Sequence, residues 1–162
     1  MAVSADEFRA GLALWGSGVT IVTARAGEEI HGMTVSAFSS VSLDPPLVLV
    51  CADKRSNTLA VIEKGRCFAA NVLAADQEAL SNRFASKKDE FRRFEGVETE
   101  DGVTGSPLIA GSLAHIDCRV VGAHDAGDHV IYVGEVQEVR TRAGDPLLYF
   151  GGRYRSLAAP EG

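Results

Sequence analysis

The sequence predicts a mainly β fold with peripheral helices, arranged as a closed antiparallel barrel. Long segments rich in β-branched residues alternate polar and apolar side chains, which is typical of half-buried strands. Only short helical patterns separate these segments, so the βαβ alternation of a parallel sheet is absent. The glycine fingerprints GxGxxG and GxxxxGK[ST] of nucleotide-binding parallel sheets are absent as well.

Length and composition exclude several classes of protein. The 162 residues fit a single domain over 1–162, with a core expected over about 6–157. The net charge of −6 argues against a nucleic-acid-binding face. Cys51, Cys67 and Cys118 lack metal-binding spacing, and we expect inert thiols in a reducing compartment. No segment resembles a signal peptide or a membrane span, so we expect a cytoplasmic protein without membrane contact.

The N-terminal half of the chain predicts a helix followed by strands. Phe8, Leu12 and Trp15 recur on one helical face. The turn at 27–29 joins two β-branched runs into a hairpin, and the turn at 44–46 precedes a short apolar strand. The predicted elements are a helix over 6–15 and strands over 19–24, 30–38, 41–43 and 47–51.

The remaining half predicts two short helices and a closing set of strands. Ser56 is an expected N-cap with Gly65 as the stop of its helix, and Asp76 is expected to cap the next helix. Residues 87–111 are polar and turn-rich. The predicted elements are a helix over 57–63, a strand over 67–73, a helix over 76–86 and strands over 113–123, 130–141 and 147–150.

The segment DKRSNTLAVIEKG carries the first candidate site. A helix N-terminus offers free N–H groups and a partial positive charge, which suit a phosphate. Ser56 and Thr58 add hydroxyls there, and Lys54 and Arg55 add cations just upstream. The alternative is a plain N-cap with surface charges.

The segment GMTVSAFSSVS carries the second candidate site. In one continuous strand Thr34, Ser36 and Phe38 share a face, because side chains alternate. Two hydroxyls and a ring beside main-chain donors suit the polar edge of a planar heterocycle. The alternative is a strand whose hydroxyls face solvent.

Three further segments carry weaker signals, each with an ordinary structural alternative. His129 follows a turn and opens a strand. Arg153 and Tyr154 follow Gly151–Gly152, where the backbone permits close approach. Arg83 offers a cation to a phosphate or a carboxylate. The alternatives are a loop-tip histidine, a C-terminal turn and a packed helix.

The order of these motifs resembles that of the flavin reductase-like family, the short-chain reductases of two-component flavin monooxygenases. The resemblance covers residues 6–157, and its most specific part is GMTVSAFSSVSLDPPLVLV. The other matching segments are DKRSNT, FAANVL, LSNRFA, GDHVIYVGEV and PLLYFGGRYR. The resemblance implies a flavin-binding split β-barrel of Greek-key antiparallel type. It also implies a homodimer with flavin sites at the subunit interface.

The resemblance implies reduction of FMN or FAD by NADH or NADPH, and release of the reduced flavin to a separate oxygenase. Hydride transfer then needs positioned rings rather than a catalytic acid or base. The implied residues around the flavin ring and ribityl chain are Thr34, Val35, Ser36, Ser39 and Ser40. Those implied around its phosphate are Asp53, Lys54, Ser56, Asn57 and Thr58. Those implied near its outer parts are Asn71, Arg83, Phe84 and Ala85, and those for the nicotinamide dinucleotide are His129, Arg153 and Tyr154.

Three alternatives stay open at this point. The same fold suits a tightly bound FMN electron carrier without turnover. It also suits a reductase of another acceptor, such as a corrinoid precursor or ferric iron. A third alternative is a barrel whose hydroxyls merely face water.

Overall fold

The structure, a computed structural model, describes residues 2–158. Its helices are α1 (Ala5–Leu12), α2 (Asn57–Gly65) and α3 (Glu78–Ala85). Its strands are β1 (Ser17–Gly18), β2 (Thr20–Ala26), β3 (Glu29–Val35), β4 (Phe38–Leu43), β5 (Pro46–Asp53), β6 (Cys67–Val72), β7 (Thr99–Asp101), β8 (Pro107–Ile109), β9 (Ala114–Ala126), β10 (His129–Thr141), β11 (Leu148–Phe150) and β12 (Arg153–Arg155). Short 3₁₀ turns occupy Ala75–Gln77 and Glu90–Arg92.

The main sheet has seven antiparallel strands in the order β3–β2–β6–β9–β10–β5–β4. Its two edge strands, β3 and β4, are consecutive in the chain and separated only by Ser36 and Ala37. Three Cα steps span at most about 11 Å, so the sheet must curve until its two edges meet. Within residues 2–158 no ladder pairs β3 with β4. The mainly β, antiparallel prediction is confirmed, but the closed barrel is not found.

Two small sheets complete the fold. In the first, β11 pairs with both β1 and β12, which ties the segment after α1 to the C-terminal part of the chain. In the second, β7 pairs with β8 inside the turn-rich stretch at 87–111. A backbone bond from Gly151 N to Ala13 O, 2.7 Å long, fixes the end of α1 against the β11–β12 turn.

The core consists of two clusters of fully buried side chains. The larger one gathers Val50, Phe68 and Tyr132 from the main sheet, and α2 adds Ile62. The second is built around Phe84 of α3. Burial on this scale stabilises the fold strongly, since truncating one buried Phe to Ala costs about 3–5 kcal/mol.

Several predicted boundaries shift for local reasons. The first helix ends at Leu12 rather than residue 15, and a capping box between Ser4 and Glu7 starts it. The strand predicted over 30–38 is broken after Val35, because the chain leaves one edge of the sheet and enters the other. Asp76 lies inside a 3₁₀ turn instead of capping α3.

Gly65 ends α2 at a position where the helix packs closely against β2. It is the last residue of the helix, and the left-handed C-cap is Arg66 (φ 54°). A Cβ on Gly65 would lie 1.8 Å from Arg25 O, a backbone atom of β2. The helix can approach the sheet this closely only because residue 65 has no side chain.

We predict that Gly65→Ala lowers the free energy of unfolding by about 2–3 kcal/mol, because the clash is with backbone rather than with a flexible side chain. Gly11→Ala in α1 is the matched control, since its Cβ would meet nothing within 4 Å. Helix propensity predicts that this control is neutral or stabilising by up to about 1 kcal/mol. Urea denaturation of both variants checks the pair. An equal loss in the two would refute the packing explanation.

Candidate functional site

The break between β3 and β4 forms the centre of the candidate site. Thr20 Oγ1 donates to Val35 O (2.6 Å) and so ends β3. Phe38 N donates to Ser36 O (2.9 Å), and Cys51 N donates to Ala37 O (3.1 Å). Ser36 and Ala37 are exposed and belong to neither flanking strand. The carbonyls of both residues are thus paired inside the chain, and the exposed Ser36 hydroxyl is presented to solvent where the two sheet edges meet.

A cleft of about 680 Å³ opens beside this break. One wall is α1 and the segment after it, where Phe8, Leu12 and Trp15 are 57%, 56% and 77% exposed. The lining also includes Phe38 of β4 and Cys51 of β5. The volume lies in the range of small-molecule sites, and apolar walls with few polar groups are typical of them.

A second cleft of about 400 Å³ continues the first, because both are lined by Ser36, Tyr149 and Gly152. Arg153 and Tyr154 line this second cleft. We call the two together the ring cleft.

Tyr154 is held firmly in the ring cleft. Its hydroxyl lies 2.7 Å from Ser81 Oγ and donates to Asn82 Oδ1 at 3.2 Å. Its ring meets the Tyr149 ring edge to face, with centroids 5.4 Å apart. The guanidinium of Arg153, in contrast, is exposed.

The ring cleft brings together part of the predicted site. The predicted residues that line it are Thr34, Ser36, Ser39, Ala85, Arg153 and Tyr154. The Thr34 hydroxyl donates to Ser81 O (2.6 Å), which leaves its lone pairs for an incoming donor. The Val35 side chain is buried. Ser40 is exposed on β4 outside the cleft lining, and its carbonyl accepts from Ser39 Oγ (2.9 Å).

The start of α2 has the predicted cap but not the predicted cradle. Ser56 Oγ accepts from Thr58 N at 3.1 Å, which confirms the N-cap. The Thr58 hydroxyl, however, is fully buried and lies 2.7 Å from Nδ1 of His31. The expectation that Thr58 presents its hydroxyl to a phosphate is therefore corrected. The Asn57 amide is exposed, but it donates to the carboxylate of Glu90.

His31 is a site neighbour that no sequence pattern indicated, since a single histidine inside a predicted strand carries no signature. It is 5% exposed, and burial together with the nearby Arg93 guanidinium lowers its pKa, so the ring is neutral near pH 7. In residues 2–158 no group bonds to its buried Nε2.

The end of β5 extends the apolar wall toward α2. Alternation along the strand puts Asp53 on the same face as Cys51, and Asp53 pairs in register with His129. Hydrogen bonds from Arg55 hold the pKa of the Asp53 carboxyl well below its usual range. His129 Nδ1 lies 2.7 Å from Asp128 Oδ1. Asp53 and His129 thus lie beside each other, outside the lining of the ring cleft.

Lys54 is paired within the chain. Its ammonium lies 2.5 Å from Asp125 Oδ1 of the β9–β10 hairpin, in an ion pair that is largely exposed to solvent. An exposed pair of this kind contributes little to stability. The predicted part of Lys54 in shaping this loop stays a prediction.

Two predicted residues are core residues instead. Asn71 is fully buried, donates to Ile21 O (2.9 Å) and accepts from Ile109 N (2.8 Å). Phe84 is fully buried and meets the Phe94 ring edge to face at 5.1 Å. Their side chains bond and pack inside the chain. Their expected place near the outer parts of the flavin stays a prediction.

Arg83 is exposed on α3 but points away from the ring cleft. Its Nη2 donates to Arg92 O and Glu95 O, both at 2.7 Å. It lines a separate depression with Ser86 and Lys88. Its predicted part in holding a flavin stays a prediction.

Among residues 2–158 no helix is long and apolar enough to span a membrane. In the same range no group of three or more His, Cys, Asp or Glu side chains is arranged to hold a metal ion.

Comparison with known proteins identifies a family and several relatives of this chain. The profile of the flavin reductase like domain matches residues 12–158. The chain is 46% identical over 148 residues to the FMN reductase (NADH) SmoA of Agrobacterium fabrum, covering 91% of this chain and 83% of that protein. It is 41% identical over 156 residues to the reductase component of 4-hydroxyphenylacetate 3-monooxygenase from Thermus thermophilus, covering 96% and 98%.

A solved structure has a closely similar fold. The NADH:FAD oxidoreductase SgcE6 of Streptomyces globisporus, in complex with NAD and FAD fragments, superposes with a TM-score of 0.90. The two chains are 35% identical, and the match covers 100% of this chain and 99% of the other. The match of the profile to nearly the whole chain and the identity to these relatives lead to one conclusion: this protein belongs to the flavin reductase-like domain family.

Proposed function

We propose that this protein is an NAD(P)H-dependent flavin reductase that passes hydride from nicotinamide to FMN or FAD. It supplies diffusible reduced flavin to a separate flavin-dependent monooxygenase. The observation that carries the proposal is the ring cleft, whose lining combines large apolar side chains with the exposed residues Ser36 and Ala37. Relatives named as NADH-dependent FMN reductase and as the reductase component of a monooxygenase support it.

The residues of the ring cleft fit an isoalloxazine. The ring is flat, apolar on both faces and polar along its pyrimidine edge. Cys51 and Trp15 both line the cleft and suit the faces of the ring, while the Ser36 and Ser39 hydroxyls suit its polar edge. Burial raises the pKa of the Cys51 thiol, so this wall carries no negative charge near pH 7.

The bound flavin would supply the acceptor for the hydride of NADH or NADPH. The chain's own work is to bind, orient and exclude water, because alignment of two rings contributes most of the rate. The Ser36 and Ser39 hydroxyls would donate hydrogen bonds to the polar edge of a bound ring and would stabilise negative charge there. We assign no residue a proton-transfer role.

Arg153 and Tyr154 are proposed to hold the nicotinamide dinucleotide, with His129 at its far end. Arg153 offers an exposed cation for a pyrophosphate, and Tyr154 is fixed by Ser81 and Asn82. Ser56 and Asn57 are proposed to meet the flavin phosphate, with Asp53 and Lys54 shaping the loop. Thr58 is proposed to support this phosphate site indirectly, because its hydroxyl contacts His31.

The proposal includes a homodimer, a split barrel of Greek-key type and a cytoplasmic location. Several large apolar side chains are exposed in one copy, among them Trp15 (77%), Leu14 (71%) and Leu43 (92%). A second copy covering them would remove apolar area from water. The curvature of the sheet at Ser36–Ala37 supports the split barrel, and three free thiols support a reducing compartment.

The direct test is oxidation of NADH and of NADPH with and without added FMN, FAD or riboflavin, followed by the loss of near-ultraviolet absorbance. We expect turnover that depends on free flavin. Tight FMN binding without turnover would indicate an electron carrier instead. Folded protein that neither binds nor reduces any flavin would contradict the proposal.

We predict that Trp15→Ala weakens the binding of FMN and of riboflavin by the same factor, about 2- to 12-fold, because an aromatic contact contributes about 0.5–1.5 kcal/mol. Both ligands carry the ring, and only FMN carries the phosphate. Quenching of flavin fluorescence on binding provides the dissociation constants. Val121→Ala is the control, since it removes an exposed apolar side chain on β9 outside the cleft lining. Unchanged affinity for both ligands would remove Trp15 from the ring site.

A further inference from the structure

The segment over 87–95 is fastened across the start of α2. Arg83 of α3 donates to Arg92 O and Glu95 O, both at 2.7 Å. The Arg93 guanidinium is 5% exposed and donates to Gly32 O of β3 (2.7 Å). The position of the 3₁₀ turn at Glu90–Arg92 is thereby fixed against both β3 and α3.

The fastened turn carries Glu90 to the N-terminal end of α2. The Asn57 amide, in the first turn of α2, donates to Glu90 Oε1. The other carboxylate oxygen lies 3.6 Å from Nη2 of Arg93, and the side chain is only 23% exposed. A carboxylate is stabilised here because the helix dipole places partial positive charge at the N-terminus. The same field favours a phosphate.

A second observation concerns His31, a buried residue near the start of α2 with a ring nitrogen that could still bind a polar ligand. His31 lies between α2 and the turn, with Nδ1 2.7 Å from Thr58 Oγ1 and its ring 6.2 Å from the Phe91 ring. It is 5% exposed, and among residues 2–158 its Nε2 has no hydrogen-bond partner. A buried nitrogen without a partner costs free energy that an additional polar ligand would recover.

We infer that Glu90 is a specificity-determining residue, whose carboxylate takes the anion position at the start of α2 and competes with the phosphate of the flavin. The inference rests on the proposed function. Glu90 and a phosphate oxygen cannot both bind Asn57 without close contact between like charges. Glu90 therefore lowers the affinity for FMN relative to riboflavin.

The test compares dissociation constants for FMN and for riboflavin in the wild-type chain and in Glu90→Gln. We expect Glu90→Gln to lower the dissociation constant of FMN about 5- to 10-fold, because only FMN carries a charge that the carboxylate opposes. The dissociation constant of riboflavin should stay unchanged within about twofold. Glu95→Gln is the matched control: it removes the same charge from the same segment. The Glu95 carboxylate pairs with Arg92 at 2.8 Å and is not bonded to Asn57.

Inorganic phosphate provides a second readout that does not depend on the ring. It should compete with FMN more strongly in Glu90→Gln than in the wild-type chain. Three results would overturn the inference: weaker FMN binding in Glu90→Gln, an equal change for FMN and riboflavin, or the same change in Glu95→Gln. Selective tightening of FMN without any NADH turnover would keep the inference and overturn the proposed function.

Discussion

Two residues, Ser36 and Ala37, link strands at opposite edges of a seven-stranded sheet. Because so short a link cannot cross a flat sheet, the sheet curves until its edges approach. Backbone at that point leaves both ladders and faces solvent, and α1 and the β11–β12 hairpin stand beside it. The constraint that shapes the fold thus also creates the cleft to which we assign the flavin.

The polar residues around this point divide into two groups by burial. Thr58 and Asn71 are fully buried, and their side chains satisfy neighbours inside the chain. Ser36, Ser39 and Arg153 remain exposed at the cleft. The first group shapes the interior and the second group is available to a ligand, so polar residues of the predicted site have different tasks.

Much of the fold could be predicted from local patterns. The β-branched runs indicated the long strands, and Ser56 indicated the cap of α2, because these signals depend on nearest neighbours. The break at Ser36 could not be predicted, since it follows from which strands become the sheet edges. The strand β12 had a usable sequence signal in the dipeptide Gly151–Gly152, because a two-residue hairpin turn requires positive φ at both positions. In the structure these residues have φ of 63° and 74°. His31, Glu90 and the α1 wall depend on tertiary contacts between distant segments, which no local spacing encodes.

Hydrogen–deuterium exchange with and without FMN tests most directly whether the flavin lies at the Ser36–Ala37 break. The account predicts slower exchange at residues 36–40 and in the α1 wall at 8–15 when FMN is bound. A cavity of about 200 Å³ lined by His115 and Arg140 serves as an internal reference and should not change. Protection confined to that cavity, or no protection at residues 36–40 in protein saturated with FMN, would contradict the account.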